Sequence, residues 1–334
     1  MKEIKNNFWQ SEKPLSVLAP MANITDAAFR RMIAKYGKPD VMYTQFVPCD
    51  GLCSPGRDNL LPHLWYDESE RPIVAQFFGA KPENFYHSAK LAVELGFDGI
   101  DINMGCPDNN VLKQNAGSGL IKFPEVAKEI IQASKEGAGD LPVSVKTRLG
   151  FHEIEYQSWL PAILEQNVAA LIVHLRTKKE LSKVEAHWEL ASDIAEMAHS
   201  YNTPIIGNGD VYTLDQLDEK CDLHDMDGVM LGRAVIGNPW CFNPEISKSD
   251  LSMETVLGVM LEHARLFDSL YTDLIVFAAI RKHLAAYVKD FYKASSLRAE
   301  LIQTSSIKEI ETVVEQALLV NSEMLLASQQ FTNA

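Results

Sequence analysis

Short apolar runs alternate with amphipathic stretches between residues 16 and 231 of this chain. The apolar runs lie at 16–19, 40–43, 73–77, 98–102, 142–146, 170–174, 204–207 and 227–231. The stretches between them have a helical hydrophobic period, most clearly at 26–35, 83–94, 125–134, 158–166 and 188–199. Such alternation indicates parallel strands joined by right-handed crossovers, and eight strands in about 240 residues is the size of a TIM barrel. The sequence therefore predicts an α/β fold with a TIM (β/α)8 barrel, and a doubly wound sheet is the alternative.

The pattern changes after residue 240. Residues 244–250 are polar, and the stretches 253–271, 275–292 and 306–328 have a helical period with no strand pattern between them. We therefore predict two domains, a barrel over residues 1–243 and a C-terminal all-α helical bundle over residues 244–334.

Composition limits the class of protein. The chain has 334 residues, of which 46% are hydrophobic and 23% charged, as expected for a globular protein. Its five cysteines form no C-x-x-C pair and no Cys/His metal-ligand spacing, so we expect no metal and a reducing, cytoplasmic location. Neither a signal peptide nor a membrane span is expected. The net charge of −14 argues against a generic nucleic-acid binder, although a local basic patch is compatible with it.

A cysteine follows the fourth predicted strand. Cys106 lies between Gly105 and Pro107, just after the apolar run 98–102. A thiol on a short, rigid turn at the carboxyl end of a barrel strand can contact a ligand and donate or accept a proton. The alternative is that Cys106 is a small buried hydrophobic residue.

Polar residues also end the other predicted strands. They are Gln76, Asn103, Lys146, His174 and Arg176. Taken singly, Lys146 is typical of a surface lysine and His174 of a core histidine, but five such residues at one barrel face predict a ligand site.

The last two strands are followed by glycine-containing turns. Asn208, Gly209 and Asp210 follow the seventh strand, and Gly232 and Arg233 follow the eighth. TIM barrels commonly bind phosphate at these two loops, although ordinary turns are the alternative. A phosphate site with a lysine and amides nearby suits flavin mononucleotide (FMN).

The chain resembles the tRNA-dihydrouridine synthases of bacterial type, and the resemblance extends over nearly its whole length. Its motifs stand in the family's order: Leu18–Ala22 with Thr25 and Asp26, Asn103–Pro107, Ala116–Ser118, Ser144–Gly150, Asn208–Asp210 and Gly232–Arg233. The segment Arg281–Asp290, with Leu297 and Arg298, resembles the family's helical tRNA-binding domain.

The resemblance implies a flavin-dependent reduction of the C5=C6 bond of tRNA uridines to 5,6-dihydrouridine. FMN N5 would deliver hydride to C6, Cys106 would protonate C5, and NADPH would reduce the flavin. By the family's pattern the substrate contacts include Asn103 and Arg176, and Lys183 lies near RNA. The FMN contacts implied by the pattern are Pro20, Met21, Ala22, Gln76, Lys146, His174, Asn208, Gly209, Asp210, Gly232 and Arg233. No obligate protein partner is evident.

A local basic segment makes nucleic-acid binding compatible with the negative net charge of the chain. Residues 281–298 contain five basic residues and one acidic residue, Asp290. Lys289 follows Lys282 by seven residues and Lys293 follows Lys289 by four, so the spacing predicts that the three lysines share one helix face beside aromatic residues. The alternative is that this face is simply exposed to solvent and binds nothing. This strip would bind the tRNA backbone in a salt-dependent manner. Its members are Arg281, Lys282, Lys289, Lys293 and Arg298, with Tyr287, Phe291 and Tyr292 at its edge.

The sequence departs from the family's pattern at three places. Leu175 stands where glycine is usual, and Gln45 stands where a Thr-Glu pair is commoner. Asp108, Asn109 and Asn110 replace the usual small or basic residues after the cysteine, which makes this loop more acidic. We expect Leu175 to narrow the pocket or change its substrate. Two alternative functions follow, an FMN-dependent barrel reductase of a small pyrimidine or enone, and a catalytically decayed RNA-binding flavoprotein.

Overall fold

The structure is a computed structural model. It describes residues 8–11, 13–272, 274–289 and 294–332, with side chains described as far as residue 322. The strands are β1 (Leu15–Leu18), β2 (Met42–Tyr43), β3 (Val47–Pro48), β4 (Ile73–Phe78), β5 (Gly99–Asn103), β6 (Val143–Arg148), β7 (Leu171–His174), β8 (Ile205–Asn208) and β9 (Gly228–Leu231).

The strands form one parallel barrel. Their order is β1-β9-β8-β7-β6-β5-β4-β2, and β3 pairs with the end of β4. Because β2 and β3 both pair with β4, the two short strands together occupy one strand position of the barrel. A parallel bridge between Val17 and Val41 joins β1 to the chain entering β2 and closes the sheet. The predicted TIM barrel is confirmed.

Helices cover the outside of the barrel. They are α1 (Ala27–Tyr36), α2 (Cys49–Leu52), α3 (Pro82–Glu94), α4 (Asn109–Leu112), α5 (Pro124–Ala138), α6 (Tyr156–Leu164), α7 (Ala191–Ser200) and α8 (Leu214–His224). α1 shows why they form: Asp26 caps it by accepting the N–H of Phe29 at 2.9 Å, and Phe29 and Ile33 lie on its buried face.

Side chains alternate between the inside and the outside of the barrel. Val74, Ile172 and Ile206 belong to an inner apolar cluster, whereas their neighbours Ile73 and Leu171 pack under the helices. The same period of two directs polar side chains inward on β5 and β6, towards the carboxyl ends of the strands. A ligand site is thereby prepared at that end of the barrel.

Four helices follow the barrel. They are α9 (Met253–Tyr271), α10 (Arg281–Tyr287), α11 (Ala294–Leu301) and α12 (Ile307–Thr332). The prediction of one helix over 275–292 is wrong. The chain forms a 3-10 turn at Phe277–Ile280, then α10, and it leaves helical geometry at Val288, where φ is −89° and ψ is 80°.

The C-terminal helices pack directly on α1, and we call the contact of α1 with α9 and α10 the junction. Phe29 lies between His263 of α9, at a ring-centroid distance of 5.2 Å, and His283 of α10, at 4.5 Å. Tyr271 of α9 accepts the N–H of Ala27 through its hydroxyl at 3.0 Å. One apolar core therefore runs through the junction.

Two buried polar groups of different kinds lie at the junction. Arg30 and Glu70 are fully buried and joined at 2.6 Å. Within the described residues, both ring nitrogens of His283 and Nε2 of His263 lack a hydrogen-bond partner. Burial lowers the pKa of His283 to about 3, although the nearby carbonyl of Ile24, which does not meet normal hydrogen-bond geometry, opposes the shift. Burial with His283 nearby lowers the pKa of His263 well below its usual value.

The described residues contain neither a membrane-spanning helix nor a group of metal ligands. None of their helices is long and apolar enough to cross a membrane. They also contain no group of three or more His, Cys, Asp or Glu side chains arranged to hold a metal ion.

Candidate active site

A cavity of about 510 Å³ opens at the carboxyl ends of the barrel strands, and we call it the strand-end cavity. This volume is within the range of about 300–1,000 Å³ typical of small-molecule sites. Thirteen of the predicted site residues line it: Pro20, Met21, Ala22, Asn103, Cys106, Lys146, His174, Arg176, Asn208, Gly209, Asp210, Gly232 and Arg233.

Hydrogen bonds hold the loop that carries Cys106. Asn103 Oδ1 accepts the backbone N–H of Gly105 at 3.1 Å and of Cys106 at 2.9 Å. On the other side, the Cys106 carbonyl accepts the backbone N–H of Ser118 at 3.0 Å and its hydroxyl at 2.9 Å. Arg148 Nε donates to the Gly105 carbonyl at 2.7 Å. The thiol is thus fixed in position at the cavity wall.

Gly117 closes against the same loop and has a positive φ of 59°. A Cβ at this position would lie 2.8 Å from both the Cys106 carbonyl oxygen and Val111 Cγ1. Only glycine combines this backbone conformation with this close approach without strain. The glycine in the Ala116–Ser118 motif therefore serves the cysteine loop.

The Cys106 thiol is protonated at neutral pH. Burial raises its pKa, and the nearby charges of Arg148 and Lys146 are too weak to reverse the shift. A protonated thiol that lines a cavity can act as a proton donor.

Lys146 brings a cation into the cavity beside an amide. Its Nζ donates to Asn208 Oδ1 at 3.0 Å, and Asn208 Nδ2 donates to the Met230 carbonyl at 2.7 Å, which fixes the amide orientation. Burial, followed by the charge of Arg148, lowers the pKa of Lys146 to about 8. Lys146 is therefore mostly charged at pH 7.

Asp210 links two arginines at the cavity rim. It accepts from Arg233 Nη2 at 2.5 Å, from Arg176 Nη2, and from the Ala186 N–H at 2.9 Å. Burial opposes ionisation of Asp210, but these bonds and charges together lower its pKa. The carboxylate thus holds both guanidinium groups at the cavity.

His174 is neutral and has a defined tautomer. Burial, together with the charges of Arg148, Lys146 and Arg176, lowers its pKa well below the usual value. Its Nε2 lies 3.1 Å from Arg176 Nη1, and because a guanidinium has no acceptor, Nε2 must accept. The proton is then on Nδ1, which makes His174 a hydrogen-bond donor.

Backbone N–H groups are free at the two predicted phosphate loops. In the described part of the chain, the N–H groups of three residues at these loops form no hydrogen bond: Asp210, Gly232 and Arg233. Gly209 has φ of 134°, and a Cβ there would lie 2.8 Å from Ala186 Cβ. Free N–H groups beside Arg233 fit an anion.

Five predicted site residues do not line the cavity. Gln76 is fully buried behind Asn103, and Lys183 is exposed next to Ser182, which does line the cavity. The other three lie in the C-terminal segment: Arg281, Lys282 and Lys289.

The predicted basic strip does not exist as one helix face. Because α10 ends at Tyr287, Lys289 lies beyond the helix that carries Lys282. Tyr287 is buried in the core rather than at the edge of a strip, and Arg281 Nε donates to the Thr304 carbonyl at 2.9 Å. Arg298 likewise donates to the Val288 carbonyl. Phe291, Tyr292 and Lys293 lie outside the described residues.

The expectation that Leu175 narrows the pocket is wrong. Its side chain is fully buried in the outer core, where period two places it opposite to His174 and away from the cavity. Gln45 also lies outside the cavity lining, where it accepts the Asn23 N–H at 2.9 Å and contacts His63 Nδ1 at 2.8 Å. Asp108 lines the cavity rim and caps α4 by accepting the Asn110 N–H at 2.8 Å.

Sequence reasoning missed Arg148, which lines the cavity although it is only 5% exposed. Burial lowers its pKa to about 10. A signal was present, since Arg148 stands two residues after Lys146 and so shares its face of the strand. The other lining residues that were not predicted are Ala19, Phe46, Gly105, Pro107, Asp108, Val111 and Ser182.

The fold and the site together define a (β/α)8-barrel protein with a protonated cysteine and a lysine in one strand-end cavity. Comparison with solved structures agrees with this fold. Histamine dehydrogenase from Rhizobium sp. 4-9 gives a TM-score of 0.51 at 13% identity, with 75% of this chain and 48% of that chain covered. The 6-hydroxypseudooxynicotine amine oxidase of Pseudomonas geniculata N1 also gives 0.51 at 13% identity, with 68% and 46% covered.

Sequence comparison identifies the family. The family model described as dihydrouridine synthase (Dus) matches residues 17–323. A Staphylococcus aureus (strain COL) protein named "Probable tRNA-dihydrouridine synthase" is 41% identical, with 94% of this chain and 96% of that protein covered. "Probable tRNA-dihydrouridine synthase 2" of Bacillus subtilis (strain 168) is 39% identical, with 92% and 96% covered. This chain belongs to the dihydrouridine synthase family, a family of enzymes, which confirms the resemblance.

Proposed function

We propose that the protein reduces the C5=C6 bond of a uridine in tRNA to give 5,6-dihydrouridine, with FMN as cofactor and NADPH as electron source, in the cytoplasm. The observation that carries this proposal is a protonated Cys106 thiol in the same cavity as Lys146 and Asn208, in a chain of the dihydrouridine synthase family. The names of its relatives support tRNA as the substrate.

The cavity has the groups that FMN requires. Lys146 would hold the flavin ring system, and Asn208 fixes the direction of the lysine through its own bond to the Met230 carbonyl. The free N–H groups at Asp210 and Gly232, together with Arg233, would bind the phosphate. When reduced by NADPH and bound there, FMN supplies a hydride for C6 of uridine.

The protein's own residues supply the proton and the binding contacts. Cys106 keeps its S–H proton at neutral pH and would give it to C5, while Asn103 fixes the thiol's loop. The donors at the cavity suit a uracil ring, whose two carbonyl oxygens accept hydrogen bonds. These donors are His174 Nδ1–H and the guanidinium groups of Arg148 and Arg176.

We assign residues 1–243 to binding FMN and the target uridine, and residues 244–334 to binding the rest of the tRNA. Lys282 and Lys289 are exposed in the C-terminal part, and Lys183 is exposed beside the cavity. Arg281 serves mainly to tie α10 to the Thr304 carbonyl. The variant Lys282→Glu/Lys289→Glu should weaken tRNA binding and reduce its salt dependence, whereas unchanged binding at low salt would contradict the assignment.

The proposed reaction is tested on unmodified tRNA. The purified protein is incubated with tRNA, FMN and NADPH, and nucleosides are analysed by mass spectrometry for uridine that has gained two hydrogen atoms. Cys106→Ala should abolish the product, whereas Cys53→Ala should not, since Cys53 is exposed and does not line the cavity. An equal rate with Cys106→Ala would refute the proton donor. No product from the wild type, despite FMN that NADPH reduces, would refute tRNA as substrate.

A further inference from the structure

A chain of three buried side chains leads from the barrel interior to the Cys106 loop, and we call it the amide chain. Gln76 Nε2 donates to Asp101 Oδ2 at 2.7 Å, and Asn103 Nδ2 donates to Gln76 Oε1 at 3.0 Å. Asn103 Oδ1 then accepts the N–H groups of Gly105 and Cys106. Each of these hydrogen bonds is donated towards Asp101, so the chain has one direction.

That direction has a cause at its buried end. An amide side chain can be turned over, exchanging its oxygen and nitrogen with no change in shape. An ionised carboxylate has only acceptors, so Asp101 requires Gln76 to present its NH₂ group. Gln76 Oε1 must then face Asn103, and Asn103 Oδ1 must face the loop. Gln76 and Asp101 are fully buried, which excludes water as a substitute partner for either of them.

The remaining partners of Asp101 impose no direction. Asp101 Oδ1 accepts the Ser144 hydroxyl at 2.7 Å and lies 3.4 Å from the Tyr43 hydroxyl. Hydroxyl groups rotate and can donate or accept, so these two adapt to the group at position 101. The carboxylate of Asp101 is therefore the group that fixes the direction of the amide chain at its buried end, and the two backbone N–H groups of the loop, which can only donate, require the same direction at the other end.

We propose that Asp101 is a positioning residue, which sets the direction of the amide chain and thereby holds the Cys106 loop. The importance of this for proton transfer rests on the proposed function, but the effect on the loop does not. A reversed amide at position 103 would direct NH₂ at two backbone N–H groups, and the loop would lose both bonds.

The test reverses the direction of the hydrogen bonds in the amide chain by substitution. Asn103→Asp places carboxylates at both ends, so Gln76 can donate to only one of them and its oxygen faces the other. With Asp101 keeping the NH₂ group, the repulsion falls on the carboxylate at 103, displaces it from the Gly105 and Cys106 N–H groups, and loosens the loop. Asp101→Asn alone keeps the chain, since its amide oxygen can face Gln76 while its NH₂ group donates to a hydroxyl. With both substitutions the chain is rebuilt in the opposite direction, because the new amide at 101 donates to Gln76, which donates to the new carboxylate at 103.

Alkylation of Cys106 by iodoacetamide reports on the loop without requiring tRNA. The rate is measured by peptide mass spectrometry in a Cys53→Ser background, because Cys53 is exposed. Asn103→Asp should raise the rate roughly five- to tenfold, as expected for the loss of one buried hydrogen bond. Asp101→Asn and the double variant should react close to the wild-type rate.

The pH dependence separates positioning from general damage. Burial, opposed by the bonds from Ser144 and Gln76, raises the pKa of Asp101 to about 6. A proton on this carboxyl adds a donor and allows the reversed chain in Asn103→Asp. The added carboxylate raises the pKa of Asp101 further in this variant, so the ratio of variant to wild-type rate should fall towards one as pH is lowered through the range in which the two carboxyls take up a proton. The ratio for the double variant should stay near one.

A second pair of substitutions tests the proposal if the Asn103→Asp variant does not fold. In Gln76→Glu the new carboxylate at position 76 faces the carboxylate of Asp101. Adding Asp101→Asn should restore the loop, because the NH₂ group of the new amide at 101 can donate to the carboxylate at 76. If Asp101→Asn rescues neither substitution, the proposal is overturned. Dihydrouridine formation by the wild type is measured separately: its absence, with the rescue intact, would refute the proposed function alone, and its presence without rescue would refute the positioning role alone.

Discussion

Two regions of this protein bury polar side chains almost completely, but only one of them satisfies every group. In the amide chain, Asp101, Gln76 and Asn103 leave no side-chain atom unpartnered within the described residues. At the junction, His263 and His283 bury three ring nitrogens for which the described part of the chain provides no hydrogen bond. A fully bonded chain fixes a direction, whereas an unpartnered imidazole makes the folded state sensitive to protonation.

The junction also contains a satisfied ion pair, and breaking it should have the largest effect. Glu70→Ala removes the partner of fully buried Arg30 and should lower the free energy of unfolding by about 3–5 kcal/mol, because an uncompensated charge is left in the core. Chemical denaturation measures the loss. The control is Glu68→Ala, since Glu68 lies on the same 3-10 turn (Glu68–Glu70) and its exposed carboxylate binds Arg71. A small effect of Glu70→Ala would show that the junction tolerates an unpaired guanidinium.

On the cavity side, Leu175→Ala separates packing from pocket shape. Leu175 is fully buried in the outer core, so its truncation should lower the free energy of unfolding by about 2–5 kcal/mol and leave uridine reduction unchanged at permissive temperature. Denaturation and the tRNA assay are compared for one preparation. If Leu175→Ala instead altered substrate choice and left stability unchanged, Leu175 would shape the pocket rather than the outer core.

Gly117→Ala tests how tightly the cavity side is held. It should lower the free energy of unfolding by about 1–3 kcal/mol, because φ is positive and the new Cβ meets the Cys106 carbonyl. It should also change the alkylation rate of Cys106. Gly139→Ala is the matched control, since φ is 60° there and no atom lies within 4 Å of the new Cβ. Equal effects of the two variants on Cys106 would contradict a close-packed loop.

The barrel and the location of its site could be predicted because both depend on local periodicity. The ends of the apolar runs placed Lys146 and His174 at strand ends and Cys106 on the turn after the fourth strand, and the resemblance to the family supplied the role of Cys106 in protonating C5. The position of Gln76 behind Asn103 could not be predicted, because it depends on the spacing between β4 and β5. The helical strip failed for a related reason: α10 ends at Tyr287, which is buried against His263 of α9, and the spacing of lysines carries no information about that contact.

The smallest expected effect concerns the unpartnered histidines at the junction. Because the folded pKa of His283 lies below the unfolded value, the unfolded state binds more protons between about pH 6.5 and pH 3, and stability falls as pH falls through this window. From pH 7.5 to 5.5 the loss attributable to this histidine is about 1.4 kcal/mol. His283→Leu should remove that part of the pH dependence, measured by denaturation at both values.

Asp26, at the other side of the junction, supplies a control of opposite sign. Burial raises the pKa of this carboxyl to about 6, so the folded state binds more protons than the unfolded state between about pH 6 and pH 3.8, and Asp26 favours folding as pH falls. Asp26→Asn should therefore make the acid loss of stability steeper, whereas His283→Leu makes it shallower. If His283→Leu left the slope unchanged, the imidazole would have a partner at the junction, and the contrast with the amide chain would disappear.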